Sequence, residues 1–383
     1  MKKARFAVIG AGGIAQNQHI PNLMRSPYAE LKVVCDLDAD KLKAAQERFG
    51  FANMCTNHKE VLANPEIDAV LIATREDSHA PLTIEALDAG KHVYVEKPLA
   101  DDEESCKPVT AAQERAGKFV ALGFNRRFAP AYVKAKEILK AHGGPNLIHY
   151  RISDEFWLRT TRFSELGHKV GHRMITEDCH IADLLRWFTD SEVASVYTMS
   201  PRVDEHAICL KFVSGAAAVI FDSGYCRKDL PKEYLEATAE VGCVTVEDFV
   251  EMNCYGIDDV EPTVKFAGHT HPKVDMIHKL LFQEDGAHAM RAMRRAMRNY
   301  ERRLEELQAS GEESVELWDL QNMKLPLGNY SVDKGWQWAI DHFAQCVISG
   351  ETPKTATAYD GMMSAKVIDA AMESARTGEI VRL

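Results

Sequence analysis

A glycine-rich motif close to the amino terminus constrains the fold of this chain more than any other feature. The apolar residues 6–9 lead directly into Gly10-Ala11-Gly12-Gly13-Ile14-Ala15, and a stretch of helical composition follows. Because Gly10 and Gly12 have no Cβ, the chain can turn tightly off a strand, and its backbone can approach a pyrophosphate at the amino end of the next helix. Ala15 fills the close-packing position of the motif. These residues predict a dinucleotide-binding turn, with Gly13 and Ile14 among the contacts.

The next apolar segment ends in an acidic residue. Residues 31–35 have the composition of a buried strand, and Asp36 follows directly. A carboxylate at this position accepts hydrogen bonds from both ribose hydroxyls and repels a 2′-phosphate. The spacing between the glycine motif and Asp36 therefore favours NAD over NADP as the cofactor.

The composition excludes several classes of protein. Of the 383 residues, 46% are hydrophobic and 27% are charged, which is typical of a globular protein long enough for two domains. The formal net charge of −11 argues against nucleic acid or an anionic membrane as the main partner. Nine cysteines are scattered without a C-x-x-C pair, and no run of about 18 apolar residues occurs. We therefore expect a cytoplasmic protein with reduced thiols and no membrane span.

Strand-like and helical segments alternate as far as residue 122. This alternation predicts a parallel sheet covered on both faces, with a ligand crevice at the carboxyl ends of its strands. Those ends fall at Gly10, Asp36, Thr74, residues 96–98 and residues 123–125. Beyond residue 145, strand-like segments with few helices between them predict a mostly antiparallel open sheet, with hairpin turns at 214–215 and Gly242. The predicted fold is α/β, with an NAD-binding Rossmann domain at 1–123 and an α+β domain for substrate binding and oligomerisation at 124–383.

Several further motifs are specific in combination. They are an Ala73-Thr74 turn followed by His79 and Pro81, Gly90-Lys91-His92-Val93 leading into Glu96-Lys97-Pro98, the segment Gly123-Phe124-Asn125-Arg126-Arg127-Phe128, and His180 with Asp183-Leu184-Leu185-Arg186-Trp187. On these residues and the glycine motif, the chain resembles the Gfo/Idh/MocA family over essentially its whole length. The resemblance implies an NAD(P)-dependent oxidoreductase acting on sugars, cyclitols or related polyols. Thr74, His79, Glu96, Lys97 and Asn125 join the candidate cofactor contacts.

Oxidation of a secondary alcohol removes a hydride from carbon and a proton from oxygen. His180 is suited to take up that proton near neutral pH. Lys97, at a strand end beside the expected nicotinamide, can hydrogen-bond the substrate oxygen and stabilise negative charge there. We assign His180 as the base and Lys97 as the polarising group, and the reverse assignment stays open. Many family members carry Asp where this chain has Thr176, itself a candidate substrate contact, and Glu177 is the preferred replacement because it would share a helical face with His180.

A cationic segment precedes the candidate base. Arg159, His168 and His172 lie there among other basic residues, which predicts a polar substrate wall suited to a sugar acid, since Arg binds a carboxylate through two parallel hydrogen bonds. Histidines four residues apart could instead bind a metal, but neighbouring glycines disfavour a helix, and we predict no metal site. Arg126 is a further candidate substrate contact. Arg126 and Asn125 could equally cap a loop.

A helical segment from Met276 to about residue 309 carries an apolar seam. Its members repeat at spacings of three and four residues and are surrounded by arginines: Met290, Met293, Met297, Tyr300, Leu304 and Leu307. Such a seam packs on its own domain or forms an oligomer contact. We predict a homo-oligomer.

Three functions compete. The leading one is an NAD-dependent dehydrogenase of a sugar, sugar acid or cyclitol. The alternative is a redox-neutral NAD-dependent glycoside hydrolase, which oxidises its substrate, eliminates the aglycone, adds water and reduces the ring again; elimination needs additional acid–base groups, which the extra histidines could supply. A non-catalytic sensor is the third, and the presence of both Lys97 and His180 argues against it.

Overall fold

The computed structural model describes residues 2–153, 173–226, 229–267, 276–310 and 332–383, with side chains from residue 282 onward in the fourth range. The chain divides into two compact units. The first combines Met1–Ala129, Arg173–Tyr197 and Gly335–Leu383, and the second combines Pro130–His172 and Thr198–Lys334. The units therefore differ from the predicted linear division at residue 123, because two later segments pack with the amino-terminal sheet.

Six strands form the parallel sheet of the first unit. They are β1 (Ala4–Ile9), β2 (Ala29–Cys35), β3 (Met54–Cys55), β4 (Ala69–Ile72), β5 (His92–Val95) and β6 (Val120–Leu122). Their order is β3-β2-β1-β4-β5-β6, and each neighbouring pair is parallel. The chain order reverses between β1 and β4, and a switch point of this kind leaves a crevice at the carboxyl ends of the strands. The predicted Rossmann sheet is confirmed.

Ten α-helices follow in chain order within the described ranges. They are α1 (Ile20–Arg25), α2 (Ala39–Phe49), α3 (His58–Ala63), α4 (His79–Asp88), α5 (Glu103–Ala116), α6 (Pro130–Ala141), α7 (Cys179–Thr189), α8 (Met276–Ser310), α9 (Trp336–Ser349) and α10 (Ala358–Thr377). Side-chain caps begin several of them. Asp38 accepts a hydrogen bond from the backbone N–H of Lys41 before α2, and Thr357 and Asp360 form a capping box at α10. These oxygens satisfy backbone N–H groups that have no partner within the helix.

The carboxyl-terminal helices belong to the core of the first unit. Phe343 of α9 contacts Phe6 of β1 and Tyr94 of β5, with ring centroids 6.2 and 5.9 Å apart in edge-to-face geometry. All three side chains are buried, and aromatic pairs of this kind add stability beyond the area that they bury. α10 packs against α5 and α7. This packing explains why residues 335–383 belong to the same unit as the Rossmann sheet.

The second unit contains a mostly antiparallel sheet, as the sequence predicts. The remaining strands are β7 (Leu147–Ser153), β8 (Val193–Arg202), β9 (Glu205–Phe212), β10 (Ala217–Ser223), β11 (Glu233–Thr238), β12 (Cys243–Glu247), β13 (Glu251–Tyr255), β14 (Thr263–Lys265) and β15 (Val381–Arg382). The sheet has the order β14-β13-β12-β11-β7-β10-β9-β8, with β7 and β10 parallel. The hairpins predicted at 214–215 and Gly242 join β9 to β10 and β11 to β12. β15 pairs with residues 195–196 of β8, which belong to the first unit.

The long helix α8 packs on its own unit. Gly286 has φ 53° and ψ −127°, so two helical segments meet there. Met290 of the predicted seam is buried, and Arg294 beside it donates from Nε to Asp248 Oδ2 at 2.8 Å. The helix also contacts β14. Intramolecular packing is thus observed for Met290, while an oligomer contact stays a prediction.

A buried ion pair in the second unit generates a prediction. Glu233 is fully buried and accepts hydrogen bonds from Lys334 Nζ and the Tyr150 hydroxyl, both at 2.6 Å. Lys334→Ala would remove a hydrogen-bonded cation from this buried carboxylate, so we expect the free energy of unfolding, measured by urea denaturation, to fall by about 3–5 kcal/mol. Lys211→Ala, at an exposed position of β9, is the control and should change it by less than about 0.5 kcal/mol. Equal stability of the two variants would contradict a structural role for the pair.

Candidate active site

The glycine motif turns sharply after β1. Gly10 has φ +101°, and a Cβ there would lie 2.4 Å from the carbonyl oxygen of Ala73, so a larger residue does not fit. At Gly12 and Gly13 a Cβ would meet no atom within 4 Å. The backbone there faces open space, which fits the close approach of a pyrophosphate.

The helix after this turn begins irregularly. Ile14 is half-buried, and the buried Ala15 opens a π-helical turn, Ala15–His19, that continues into α1. Pro21 occupies one of the first two positions of α1. The buried ring of His19 lies at the end of the π-helical turn.

Asp36 lies where β2 ends, next to the glycine motif. Its Oδ2 accepts a hydrogen bond from the backbone N–H of Ala11 at 2.7 Å, and its Oδ1 accepts one from that of Asp38 at 3.0 Å. Lys41 Nζ lies 3.7 Å from Oδ1. These contacts hold the carboxylate at the switch point of the sheet, where it suits a ribose with two hydroxyls and disfavours a phosphate. The glycine turn and Asp36 together fit NAD.

A buried carboxylate fixes the turn after β5. Glu96 Oε1 pairs with His19 Nε2 at 2.7 Å, and Oε2 accepts a hydrogen bond from the backbone N–H of Lys97 at 3.2 Å. Burial opposes ionisation of Glu96, but the hydrogen bond and charge of His19 and the charge of Lys97 outweigh it and lower the pKa of Glu96. The sequence does not predict a role for His19, because only the fold brings its ring to Glu96.

His79 connects two turns at the carboxyl edge of the sheet. Its Nδ1 lies 2.7 Å from the carbonyl oxygen of Pro98, and its Nε2 lies 3.3 Å from that of Thr74. The Ser78 hydroxyl donates to Thr74 Oγ1 at 2.7 Å. The ring of His79 is 1% exposed, so its contacts here are with the protein itself. Direct contacts of His79 and Thr74 with a cofactor stay predictions.

Lys97 reaches the segment that carries the predicted base. Its Nζ donates a hydrogen bond to the carbonyl oxygen of Thr176 at 2.6 Å. Thr176 lies in a second π-helical turn, Met174–Asp178, that runs directly into α7. His180 follows four residues later, which is about one helical turn. The amino group of Lys97 therefore lies about one turn from His180, within one unit of the structure.

His180 lies in the first turn of α7, against the segment that follows β6. Its ring centroid is 5.5 Å from that of Phe124, and the residue is 6% exposed. Asn125 and Arg126 follow Phe124 in a short 3-10 helix and are buried as well. The structure thus brings the candidate base to the segment that carries two other predicted site residues.

Charged groups converge on the start of α7. Burial raises the pKa of the Cys179 thiol to about 12, the charges of Glu177 and Asp178 add to this shift, and those of Lys97 and Arg126 oppose it. Each of the four charges is close enough to act on one sulfur atom. The hydrogen bond from Lys97 to Thr176 also brings its amino group to the turn that precedes this helix, and the assignment of Lys97, Arg126 and Glu177 to one site stays a prediction.

The third predicted catalytic group lies in the π-helical turn and not in an α-helix. Glu177 is half-buried, whereas its neighbour Asp178 is fully buried. A π-helical turn bonds residues five apart, so the three-residue α-helical spacing that favours Glu177 does not apply there. A catalytic role for Glu177 therefore stays a prediction without that geometric support.

A network of buried charges fixes α7 within the first unit. Arg127 donates from Nε and Nη2 to the two carboxylate oxygens of Asp183, at 2.8 and 2.5 Å, and from Nη2 to Asp360 at 2.9 Å. Arg186 extends the network to Asp360 at 3.3 Å and to Glu192 at 2.7 Å. Burial raises the pKa of Asp183 to about 6, although the charge and hydrogen bonds of Arg127 oppose this. The sequence motifs contain Arg127, Asp183 and Arg186, but only the fold reveals their pairing.

Three predicted substrate contacts, Arg159, His168 and His172, lie outside the described residues. Within the described ranges, no three His, Cys, Asp or Glu side chains form a group that could hold a metal ion. Among the helices described, none is both long enough and apolar enough to cross a membrane.

These features define the class of the protein as a Rossmann fold with a nucleotide site that fits NAD. Residues 4–124 match the model of an oxidoreductase family with an NAD-binding Rossmann fold, Gfo/Idh/MocA. Through this domain, the chain is similar to the Gfo/Idh/MocA family.

Two relatives and one solved structure illustrate the similarity. The chain is 29% identical to the uncharacterized oxidoreductase YrbE of Bacillus subtilis, over 58% of this chain and 67% of that protein. It is 34% identical to inositol 2-dehydrogenase 3 of Saccharopolyspora erythraea over 52% of this chain, and it spans 57% of that relative's length. The structure of scyllo-inositol dehydrogenase from Lactobacillus casei, with bound NAD(H) and scyllo-inositol, superposes with a TM-score of 0.72 at 18% identity, covering 100% of this chain and 99% of the other. The two structures therefore share the fold.

The charge network predicts the effect of removing one carboxylate. Asp183→Asn keeps the shape of the side chain but leaves Arg127 with Asp360 as its remaining carboxylate partner, so we expect the free energy of unfolding to fall by about 1–3 kcal/mol. Urea denaturation measures the change. The control is Glu373→Gln, which disrupts the exposed pair between Glu373 and Arg376 and should cost less than about 1 kcal/mol. If both variants lost the same stability, the network would not fix α7.

Proposed function

We propose that this protein is an NAD-dependent dehydrogenase that transfers a hydride between the nicotinamide and a secondary hydroxyl of a sugar, sugar acid or cyclitol. The observation that carries the proposal is the 2.6 Å hydrogen bond from Lys97 to Thr176, one helical turn before His180. It supports a proton-handling pair in the same unit as Gly10 and Asp36, the residues that fit NAD. The names of two similar proteins, an inositol 2-dehydrogenase and a scyllo-inositol dehydrogenase, support a polyol substrate.

The two proposed catalytic residues act differently on the substrate hydroxyl. When bound, NAD supplies the hydride acceptor. His180 removes the hydroxyl proton as the carbonyl group forms. A protonated lysine has three N–H donors; Lys97 uses one on the carbonyl oxygen of Thr176, and another can hydrogen-bond the substrate oxygen and stabilise negative charge there. Lys97 as the base, with His180 as the hydrogen-bond donor, is the second assignment.

The remaining site residues determine which substrate enters. Arg126 and Thr176 are proposed substrate contacts, together with Arg159, His168 and His172. Glu177 is the proposed third acid–base group. The basic residues of the segment that carries Arg159, His168 and His172 favour a substrate with a carboxylate, because Arg binds a carboxylate through two parallel hydrogen bonds. Sugar acids are therefore the first substrates to test.

A redox-neutral glycoside hydrolase is a less favoured proposal. Elimination of an aglycone requires additional acid–base groups, and the histidines that could supply them lie outside the described residues. The relatives described above carry the names of dehydrogenases and oxidoreductases. Net formation of NADH distinguishes the two activities, because the hydrolase returns its hydride to the sugar.

The catalytic assignment predicts the behaviour of two variants. His180→Ala and Lys97→Ala should each lower kcat/KM by about 10²- to 10⁴-fold. NADH formation is followed at 340 nm with NAD and a panel of sugar acids, inositols, neutral sugars and aryl glycosides. His180→Ala should retain the NAD affinity of the wild type, measured by calorimetry, because His180 handles the substrate proton and not the cofactor. Lys43→Ala, at an exposed position of α2, is the control with unchanged rates. Aglycone release without net NADH would contradict the dehydrogenase.

We also propose that the protein is a cytoplasmic homo-oligomer. Nine free cysteines support a reducing compartment. The sheet of the second unit carries exposed apolar side chains on one face: Leu147 is directly paired with Thr238, Thr238 with Cys243 and Cys243 with Tyr255, so Leu147 and Tyr255 share a face. Phe221, four residues along β10 from the partner of Leu147, lies on the same face and is 46% exposed. A second copy of the chain would cover this surface.

The oligomer proposal predicts a mass in solution. Multi-angle light scattering should give at least twice the mass of one chain, and Phe221→Glu should shift the population towards the monomer because it introduces a charge on the apolar face. Lys43→Glu, at an exposed position of α2 in the first unit, is the control and should leave the mass unchanged. A strict monomer for the wild type would contradict the proposal.

A further inference from the structure

Two cysteines lie opposite each other at the edge of the Rossmann sheet, directly before Asp36. The edge strand β3 pairs in parallel with β2, with Cys55 opposite Cys35. Neighbouring strands are about 4.8 Å apart, a spacing within the range of Cα separations that disulfides span. The Cys55 side chain is within hydrogen-bonding range of the Cys35 thiol, and both cysteines are free thiols. The two sulfur atoms are therefore placed to react with each other.

The backbone around this pair is bonded to the nucleotide-binding turn. The carbonyl oxygen of Cys35 accepts a hydrogen bond from the N–H of Gly10 at 2.7 Å, and the N–H of Asp36 donates to the carbonyl oxygen of Cys55 at 3.3 Å. The Asp36 carboxylate is in turn held by the N–H of Ala11. A covalent bond between the two sulfur atoms would therefore act directly on the residues that fit the pyrophosphate and the ribose.

We propose that Cys35 and Cys55 form a reversible disulfide that lowers the affinity for NAD. Hydrogen peroxide is the oxidant. The Cys55 thiolate attacks one peroxide oxygen, the O–O bond breaks, and the departing hydroxide takes up a proton to leave as water. Cys35 then attacks the sulfenic sulfur of Cys55, and a second water leaves with the Cys35 proton. Two thiols and one peroxide thus give one disulfide and two waters, and a dithiol reductant reverses the change.

Exposure sets the order of the two steps. Cys55 is partly exposed on a two-residue strand, so it meets the oxidant first. Cys35 is 2% exposed, and burial raises the pKa of its thiol to about 12, so it is protected from direct oxidation. Because its sulfur is already adjacent to Cys55, Cys35 is positioned to resolve the sulfenic acid before further oxidation occurs.

The effect on NAD follows from the shift that a disulfide requires. To form a disulfide, the two sulfur atoms must approach to about 2.05 Å, which draws the ends of β2 and β3 together. Asp36, the next residue along the chain from Cys35, then moves away from the position in which its carboxylate accepts the ribose hydroxyls. Loss of a hydrogen bond to a charged group raises the dissociation constant by about tenfold or more.

A peptide map and a binding measurement on the same samples test the proposal. The full-length protein is treated with one equivalent of hydrogen peroxide, alkylated and digested with trypsin, which should yield peptides 33–41 and 49–59 linked through their cysteines. The dissociation constant for NAD, measured by calorimetry, should rise about tenfold on oxidation and recover with dithiothreitol. Cys55→Ser should abolish both changes. Cys209→Ser, a partly buried cysteine on β9, is the matched control and should respond as the wild type does.

Several results would overturn the inference. One is oxidation of Cys55 to the sulfinic acid without linked peptides, and another is a linked pair with an unchanged dissociation constant. The effect on affinity rests on the proposed NAD site, whereas the peptide map does not depend on it. A reduced protein that failed to bind NAD would therefore reject both the proposed function and the loss of affinity, and linked peptides in that sample would identify the cofactor site as the part that failed.

Discussion

The ionic bonds of Arg127 join three segments of the first unit. Arg127 follows the last strand of the Rossmann sheet, Asp183 lies on α7 and Asp360 lies on α10, so segments far apart in sequence meet at one guanidinium. A guanidinium offers its donors in a rigid planar fork, and separating a buried partner from it is costly. The network therefore fixes the orientation of α7, and with it the π-helical turn whose Thr176 carbonyl accepts the hydrogen bond from Lys97.

Two hydrogen bonds, one at the backbone and one at the side chain, hold Lys97, so the fold fixes its position. The buried carboxylate of Glu96 accepts a hydrogen bond from the backbone N–H of Lys97, and the carbonyl oxygen of Thr176 accepts one from Lys97 Nζ. His19 holds Glu96 in turn. A reacting group that is positioned before substrate arrives avoids the entropy of ordering it during the reaction. This preorganisation is the physical reason to place the lysine, and the helix start beside it, at the centre of the proposed chemistry.

Features that depend on neighbours in the sequence could be predicted, and features that depend on distant contacts could not. The alternation of strands and helices up to residue 122 and the hairpin turns at 214–215 and Gly242 agree with the observed sheets, because buried strands and turns have local signals. The division at residue 123 misses the return of residues 173–197 and 335–383 to the first unit. That return depends on aromatic packing and buried charge pairs with no local pattern. The π-helical turn at Met174–Asp178, which removes the helical argument for Glu177, is equally a product of packing.

Different interactions hold the two halves of the proposed site, so a local structural change in one half need not alter the other. The nucleotide half depends on backbone hydrogen bonds between β1, β2 and the two-residue edge strand β3. Bonds at a short edge strand open locally, at a free energy well below that of global unfolding. The proton-handling half depends on buried carboxylates and arginines, which separate only when the unit itself opens. Local chemistry at the sheet edge can therefore change the affinity for the cofactor while the catalytic pair keeps its geometry, so such a change is expected in the KM for NAD and not in kcat at saturating NAD.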